Sequence, residues 1–298
     1  MTDADNQLCA LYVDAGTTNT RVWLAEDEQV LSRVTAQVGV RDTARDGSPH
    51  KLRFALRDLI ADARAHAGAV RLCAPSHVIA AGMISSPLGL AKVTHIAAPA
   101  GRAELAAGVA AHQFPDITEL PFLLVPGVRC GPLRTEASNI GEVDLMRGEE
   151  TLCLGLSDGG LLGANATLLN LGSHWKTIKL DEAGRIASSV TRLSGEMIHA
   201  VQEHTILASA VTRERPVALS EEWLAAGMRE QRRRIKARLS ACVCWSRRRT
   251  APDDRLSYLI GAFVASALDS LVAAETFTPN SPSSSRAEQA SPPPGLMP

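Results

Sequence analysis

Asp14-Ala15-Gly16-Thr17-Thr18-Asn19-Thr20-Arg21 is the stretch on which the fold reading turns. The apolar run Leu8 to Val13 before it predicts a strand, and Arg21 to Leu24 predicts a second. A glycine-threonine turn between two strands lets backbone N–H groups come close to an anion, because glycine has no side chain to hold the ligand away. Gly16, Thr17, Thr18 and Asn19 are therefore candidate phosphate-binding residues, with the threonine hydroxyls as extra donors. Asp14, ending the first strand, is placed to hold a hydrated Mg²⁺. The GxxxxGK[ST] pattern is absent, so this is not a Walker A loop. The plain alternative is an ordinary hairpin turn, and the flanking Asp14 and Arg21 weigh against it.

Outward from this turn, helical spacing of Leu52, Leu56, Leu59 and Ala63 predicts a helix over 51–66. Val78 to Ala81 reads as a strand ending in Gly82, Arg102 to Gln113 as a helix, and Pro121 to Val125 as a strand. The pattern restarts from Asp144. A helix opens near Gly148-Glu149, and Thr167 to Leu171, Trp175 to Leu180 and Ile186 to Val190 read as strands. Helices are predicted from Ser194 to Leu207 and from Arg255 to Leu271. In the first of these, Met197, Val201, Leu207 and His204 share a core-spaced face, and His204 reads as a packed histidine. Two similar α/β lobes follow, residues 1–140 and 141–275. Residues 276–298, rich in Ser and Pro, read as a disordered tail.

The 298 residues are enough for two cores. Charge is balanced at a net -1, and nothing in it favours a polyanionic partner over a small ligand. The basic run Arg229 to Arg238 reads as a solvated helix face, so no nucleic-acid partner is expected. No secretory pattern or membrane-length apolar run appears, and a cytoplasmic protein without a membrane partner is the expectation. The six cysteines lack CxxC spacing and read as reduced thiols. Oligomeric state is not legible.

Several further segments carry chemistry or its neighbourhood. They are Ala81-Gly82-Met83-Ile84-Ser85-Ser86, Val125-Pro126-Gly127-Val128, Asp144 to Thr151, Leu171-Gly172-Ser173-His174, Ser194-Gly195-Glu196, His204 to Leu207, and Leu259 to Ala262. Together with residues 14–24 the set resembles the 2-dehydro-3-deoxygalactonokinase family of the actin and sugar-kinase superfamily. Met146-Arg147-Gly148-Glu149-Glu150-Thr151 is its most specific part. The resemblance implies two RNase H-like lobes with a cleft between them, the first facing sugar acid and the second nucleotide. It implies ATP- and Mg²⁺-dependent phosphorylation of the 6-hydroxyl of 2-dehydro-3-deoxy-galactonate in galactonate degradation.

Transfer to a hydroxyl needs a base, and a carboxylate at a helix N-terminus suits that role. By analogy with related sugar kinases, Glu149 after Gly148 is favoured, with Asp144 and Glu150 as rivals and Arg147 beside them, and the plain alternative is that Glu149 and Glu150 only favour the helix dipole. Leu171 to Lys176 falls where the family has its second phosphate turn, making Gly172, Ser173, His174 and Lys176 the candidate donors there. For His174 a structural role is equally open. Leu171 and Ser173 replace a proline and a threonine of the family pattern, and Trp175 precedes Lys176. The acceptor's carboxylate calls for a cation. Arg21, Arg147 and Lys176 are unranked candidates, and Ser85 and Ser86 could meet sugar hydroxyls. Residues 240–251 match the family poorly, and 276–298 lack its adenosine-binding turn and final helix. The expectation is an incomplete second lobe with weakened ATP affinity. A kinase for another sugar or sugar acid, or a non-catalytic family member, stay as alternatives.

Overall fold

A computed structural model of the protein describes residues 8–68, 74–214, 216, 218–232 and 250–273. The chain divides into two compact units, Met1–Ala166 with Leu180–Ser189, and Thr167–Lys179 with Val190–Pro298. The first unit thus runs beyond the lobe boundary expected at residue 140. Residues after that point are tied into it by strand pairing, described below.

In the first unit, β1 (Cys9–Ala15), β2 (Thr20–Glu26) and β3 (Gln29–Ala36) form an antiparallel meander. Helices α1 (Val40–Asp46) and α2 (His50–Gly68) follow, and β4 (Val78–Gly82) returns parallel to β1. Next come β5 (Ile96–Ala97), α3 (Arg102–Ala107), β6 (Ala110–His112), β7 (Phe122–Leu124), β8 (Val128–Cys130), β9 (Asp144–Met146) and α4 (Glu149–Asp158). The main sheet runs β3-β2-β1-β4-β7-β6, and β5-β8-β9 form a small second sheet. Leu11, Val13 and Ala15 alternate into the core, where Leu52, Leu56, Ile60 and Ala63 of α2 meet them with Phe122 and Leu124. Each leucine, isoleucine, valine or phenylalanine among them contributes about 1.5–3 kcal/mol by its burial. The Ala63 carbonyl also accepts the Ser32 hydroxyl at 2.7 Å, fastening α2 to β3.

The helix expected over 102–113 ends at Ala107. Gly108 closes it, and Ala110–His112 instead pairs antiparallel with β7, where His112 stacks on Phe114. Tertiary pairing overrides helix propensity there. Of the expected reduced thiols, Cys130 and Cys153 are free and buried, and burial pushes the Cys153 thiol up to about 11. Cys9 departs from that expectation, being disulfide-bonded. Cys73, Cys242 and Cys244 lie outside the described residues.

The second unit holds the hairpin of β10 (Thr167–Leu171) and β11 (Trp175–Leu180). After β12 (Ile186–Arg192) come α5 (Ser194–His204), α6 (Glu221–Arg232) and α7 (Pro252–Ala273). Its core gathers Trp175, Ile198, Val201, Leu207, Leu256 and Leu259. Ile198 and Val201, three apart, take the inner face of α5. Met197, at 50% exposure, and His204 therefore face outward, against the expectation that both pack with Val201. Arg229 and Arg232 end α6, and the rest of the basic run, like residues 276–298, lies outside the described residues. No helix among the described residues is long and apolar enough to cross a membrane.

Helices α6 and α7 cross at glycines. A β-carbon at Gly227 would fall 2.0 Å from the Tyr258 carbonyl oxygen, and one at Gly261 would fall 2.0 Å from that of Leu224. Backbone cannot rotate aside, so Gly261→Ala is expected to destabilise the protein by about 1–3 kcal/mol despite alanine's better helix propensity. The exposed Gly155 of α4 has nothing within 4 Å, so Gly155→Ala should be neutral or stabilising by up to ~1 kcal/mol. Denaturant midpoints of the two variants check the contrast, and equal midpoints would show that the α6–α7 crossing yields.

Candidate active site

Antiparallel pairing sets Asp14 opposite Arg21 and Ala15 opposite Thr20, so residues 16–19 must turn tightly. The Gly16 N–H closes the turn on the Asn19 carbonyl at 2.9 Å. The turn's own carbonyls are taken by the start of α1, with Val40 N–H donating to Gly16 O at 3.2 Å and Arg41 N–H to Thr17 O at 2.9 Å. Gly39 makes this approach possible, since a β-carbon there would fall 2.5 Å from Thr17 backbone. Helix N–H groups and turn carbonyls thus satisfy one another, leaving the amides and hydroxyls of Thr17 and Thr18 for an anion. A polar cavity of about 360 Å³ beside the turn is lined by Thr18, Asn19, Gln37, Arg41 and Asp42. Hydrogen bonds from Lys51 and then the Gly39 N–H hold Asp42 below the usual carboxylate range.

Asp14 accepts from Arg21 Nη1 at 2.8 Å, and both side chains are about two-fifths exposed, at 40% and 38%. Against its other oxygen lies Gly82, at φ 86°, where a β-carbon would come within 3.3 Å of Asp14 Oδ1 and 2.7 Å of Ala15 O. Against Gly82 in turn lies Gly148, at φ 105°, whose β-carbon would sit 3.2 Å from the Gly82 Cα. Both positions combine left-handed backbone with close approach, and only glycine meets both demands. Three segments distant in sequence are stacked in this way onto the end of β1.

Gly148 begins α4. Its N–H donates to both oxygens of Glu150 at 2.8 Å, and Glu150 is fully buried. Glu149 is half-buried and accepts the Arg147 N–H at 3.2 Å through Oε2. The Arg147 guanidinium donates to Ser85 Oγ at 2.8 Å and Val93 O at 2.6 Å, and it faces His95 Nδ1 at 3.3 Å. Ser85 and Ser86, at 1% and 3% exposure, turn their hydroxyls to the chain itself: Ser85 donates to Gly82 O, and Ser86 accepts the Leu88 N–H. Asp144, on β9, accepts the Ser189 hydroxyl at 2.6 Å.

In the second unit, Gly172, Ser173 and His174 form the exposed turn between β10 and β11. The Glu196 N–H, in the first turn of α5, donates to Ser173 O at 2.9 Å. A β-carbon at Gly195 would fall 2.3 Å from Gly172 O. His174 Nδ1 lies 3.4 Å from Ser173 Oγ and its Nε2 3.9 Å from Glu196. Lys176 is buried, at 3% exposure, and Trp175 is part of the core.

A sequence model of the 2-keto-3-deoxy-galactonokinase family matches residues 14–279. The chain belongs to that family. A solved structure from Sinorhizobium meliloti, assigned as a 2-dehydro-3-deoxygalactonokinase, is 24% identical with a TM-score of 0.70. The match covers 89% of this chain and 81% of that one, so the two share a fold. An activator of 2-hydroxyisocaproyl-CoA dehydratase from Clostridium difficile, with bound ADPNP, is 11% identical with a TM-score of 0.40. That match covers 92% of this chain and 78% of the other. No curated protein matches the chain.

In this member of the family, Asp14, Ser85, Arg147 and Glu149 gather in the first unit, while Gly172, Ser173, His174 and Lys176 belong to the second. The departures from the family pattern have distinct settings. Leu171 is 58% exposed, and Trp175 is buried against α5 and α7 residues. Reading the sequence did not find His95 or the roles of Gly39 and Gly195. Gly39, three residues before an acid, carried a weak helix-start signal. His95 carried none. Gly82→Ala is expected to lower stability by about 1–3 kcal/mol through strain and overlap with Ala15. Thermal or denaturant unfolding reads this out, and an unchanged midpoint would mean the three-segment stack is loose.

Proposed function

We propose that the protein is an ATP-dependent kinase that phosphorylates the 6-hydroxyl of 2-dehydro-3-deoxy-D-galactonate, acting in galactonate catabolism in the cytoplasm. The observation that carries this reading is the stacking of Gly82 and Gly148 on Asp14, which joins the family's most specific segment to the first phosphate turn. Glu149 is the base. Its Oε1 has no partner in the described chain, whereas Glu150 is fully buried on the Gly148 N–H and Asp144 is engaged by Ser189. Glu149 takes the proton of the 6-hydroxyl as O6 bonds to the γ-phosphorus and ADP leaves with the bridging oxygen.

The turns at Gly16 to Asn19 and Gly172 to His174 offer amides and hydroxyls to phosphate oxygens, the first with the Gly16 and Thr17 carbonyls and the second with the Ser173 carbonyl held by a helix start. Asp14 fits a Mg²⁺ role: one oxygen is on Arg21, and the other faces Gly82, where no β-carbon intrudes. A nucleotide-bound Mg²⁺ needs only one or two protein carboxylates, and when bound it offsets phosphate charge.

The test is Mg·ATP turnover by the full chain with a panel of sugar acids and neutral sugars. Release of ADP that depends on the named acid is the expected result. Asp14→Ala should abolish it, and Glu149→Gln should lower kcat by about 10²–10⁴. Folded protein that releases ADP with none of the acceptors would instead support the non-catalytic alternative. Turnover with a different acceptor would move the substrate assignment and leave the kinase reading standing.

A further inference from the structure

We propose that Arg147 anchors the acceptor's carboxylate and so restricts the acceptor to sugar acids. This rests on the kinase reading above and assigns one function within it. Of the three cations that sequence left unranked, Arg21 is committed to Asp14 at 2.8 Å, and Lys176 is buried on β11. Arg147 differs from both. Elsewhere in the same unit arginines close on carboxylates, as Arg21, Arg64 and Arg185 do at 2.8–2.9 Å. No carboxylate among the described residues lies within ion-pair distance of Arg147.

Its partners are instead neutral: a serine hydroxyl, a backbone carbonyl and an imidazole nitrogen. Because the guanidinium can only donate, His95 Nδ1 must accept, which fixes the proton on Nε2. These three contacts immobilise the guanidinium without neutralising it. Holding a half-buried cation with no carboxylate in ion-pair contact costs free energy, and an anionic ligand at the guanidinium offsets that cost. Burial correspondingly pulls the Arg147 guanidinium below its ordinary value, with the charge of Glu150 acting the other way.

The remaining geometry suits an anchor. Among the donors of the guanidinium, Nε–H has no partner in the described chain and is not sealed from solvent. The residue precedes Gly148 and Glu149, so a carboxylate held there ties one end of the acceptor to the segment that carries the base. Gly127 gives the group its room, since a β-carbon there would meet Arg147 Cγ and His95 Cδ2, each at 2.7 Å. Binding energy gained at a remote carboxylate can be used to orient the reacting hydroxyl.

The experiment measures binding to the full chain by calorimetry without ATP. It uses 2-dehydro-3-deoxy-D-galactonate and the 3-deoxyketose in which hydroxymethyl replaces the carboxylate. Arg147→Met should weaken binding of the acid by about 30-fold or more and change the neutral analogue by little. Arg147→Lys keeps a charge but not the fork, and it should give a smaller loss confined to the acid. It also decides the matter if the methionine variant fails to fold. Equal losses for both ligands would mean that Arg147 only holds loops together, and no loss for the acid would equally overturn the proposal. Wild-type protein that binds neither ligand overturns the substrate reading and this inference with it. Wild-type binding of the acid that survives both substitutions overturns the inference alone.

Discussion

The structure of the first unit depends on one constraint, the contact of bare backbone at the end of β1. Ala15 and Asp14 meet Gly82, where a β-carbon would fall 2.7 Å from Ala15 O, and Gly82 meets Gly148, where one would sit tightly at 3.2 Å. Each glycine also has positive φ, so its backbone direction is one that other residues rarely adopt. The consequence is topological. Residues separated by more than a hundred positions in sequence share a point, and the start of α4 is aimed from it. The small sheet β5-β8-β9 delivers Met146 to that point, and Arg147 locks the arrangement to Ser85 and Val93.

A second device occurs once in each unit. In both turns carbonyl groups accept from the first turn of a helix, those of Gly16 and Thr17 from α1 in one unit and that of Ser173 from α5 in the other. In both a glycine, Gly39 or Gly195, permits the approach. The arrangement solves two problems together. A helix start has N–H groups without internal partners, and a tight turn has carbonyls pointing away from any ladder. Pairing them leaves each turn with its donors outward, which is the polarity an anion requires. Two dissimilar sequences, Gly-Thr-Thr-Asn and Gly-Ser-His, reach the same local chemistry by this route.

Strands were legible wherever local pattern and tertiary pairing agree. The hairpin of β10 and β11 lies where its alternating residues and central glycine predict, and α2 follows its leucine spacing. Pattern failed where a partner decided the outcome. Ala110 to His112 is helix-compatible in isolation but completes the edge of a sheet against β7. The places of Asp14, Gly16 and Glu149 at a strand end, a turn and a helix start were readable because local pattern defines each of them. His95 was not readable, since its role comes only from contact with a residue 52 positions away. The cations could not be ranked for the same reason: what distinguishes them is a neighbour, not a position.

The paired glutamates show how far one residue of register can separate the settings of two identical side chains. Glu149 and Glu150 have the same side chain and the same place in the first turn of α4. A step along a helix rotates a side chain by roughly a quarter turn or more about the axis. That rotation buries Glu150 completely, where both oxygens accept the Gly148 N–H and the carboxylate holds the helix start in place. Glu149 is left half-buried, with one oxygen on the Arg147 amide. A buried, doubly bonded carboxylate is a poor proton acceptor for a ligand because it cannot leave its donors without leaving them unsatisfied. The neighbour is less completely bound, and its Oε1 has no partner in the described chain. Geometry thus gives adjacent carboxylates different settings, one spent on the helix start and one with an oxygen to spare, and under the proposed kinase reading it is the second that can serve as base.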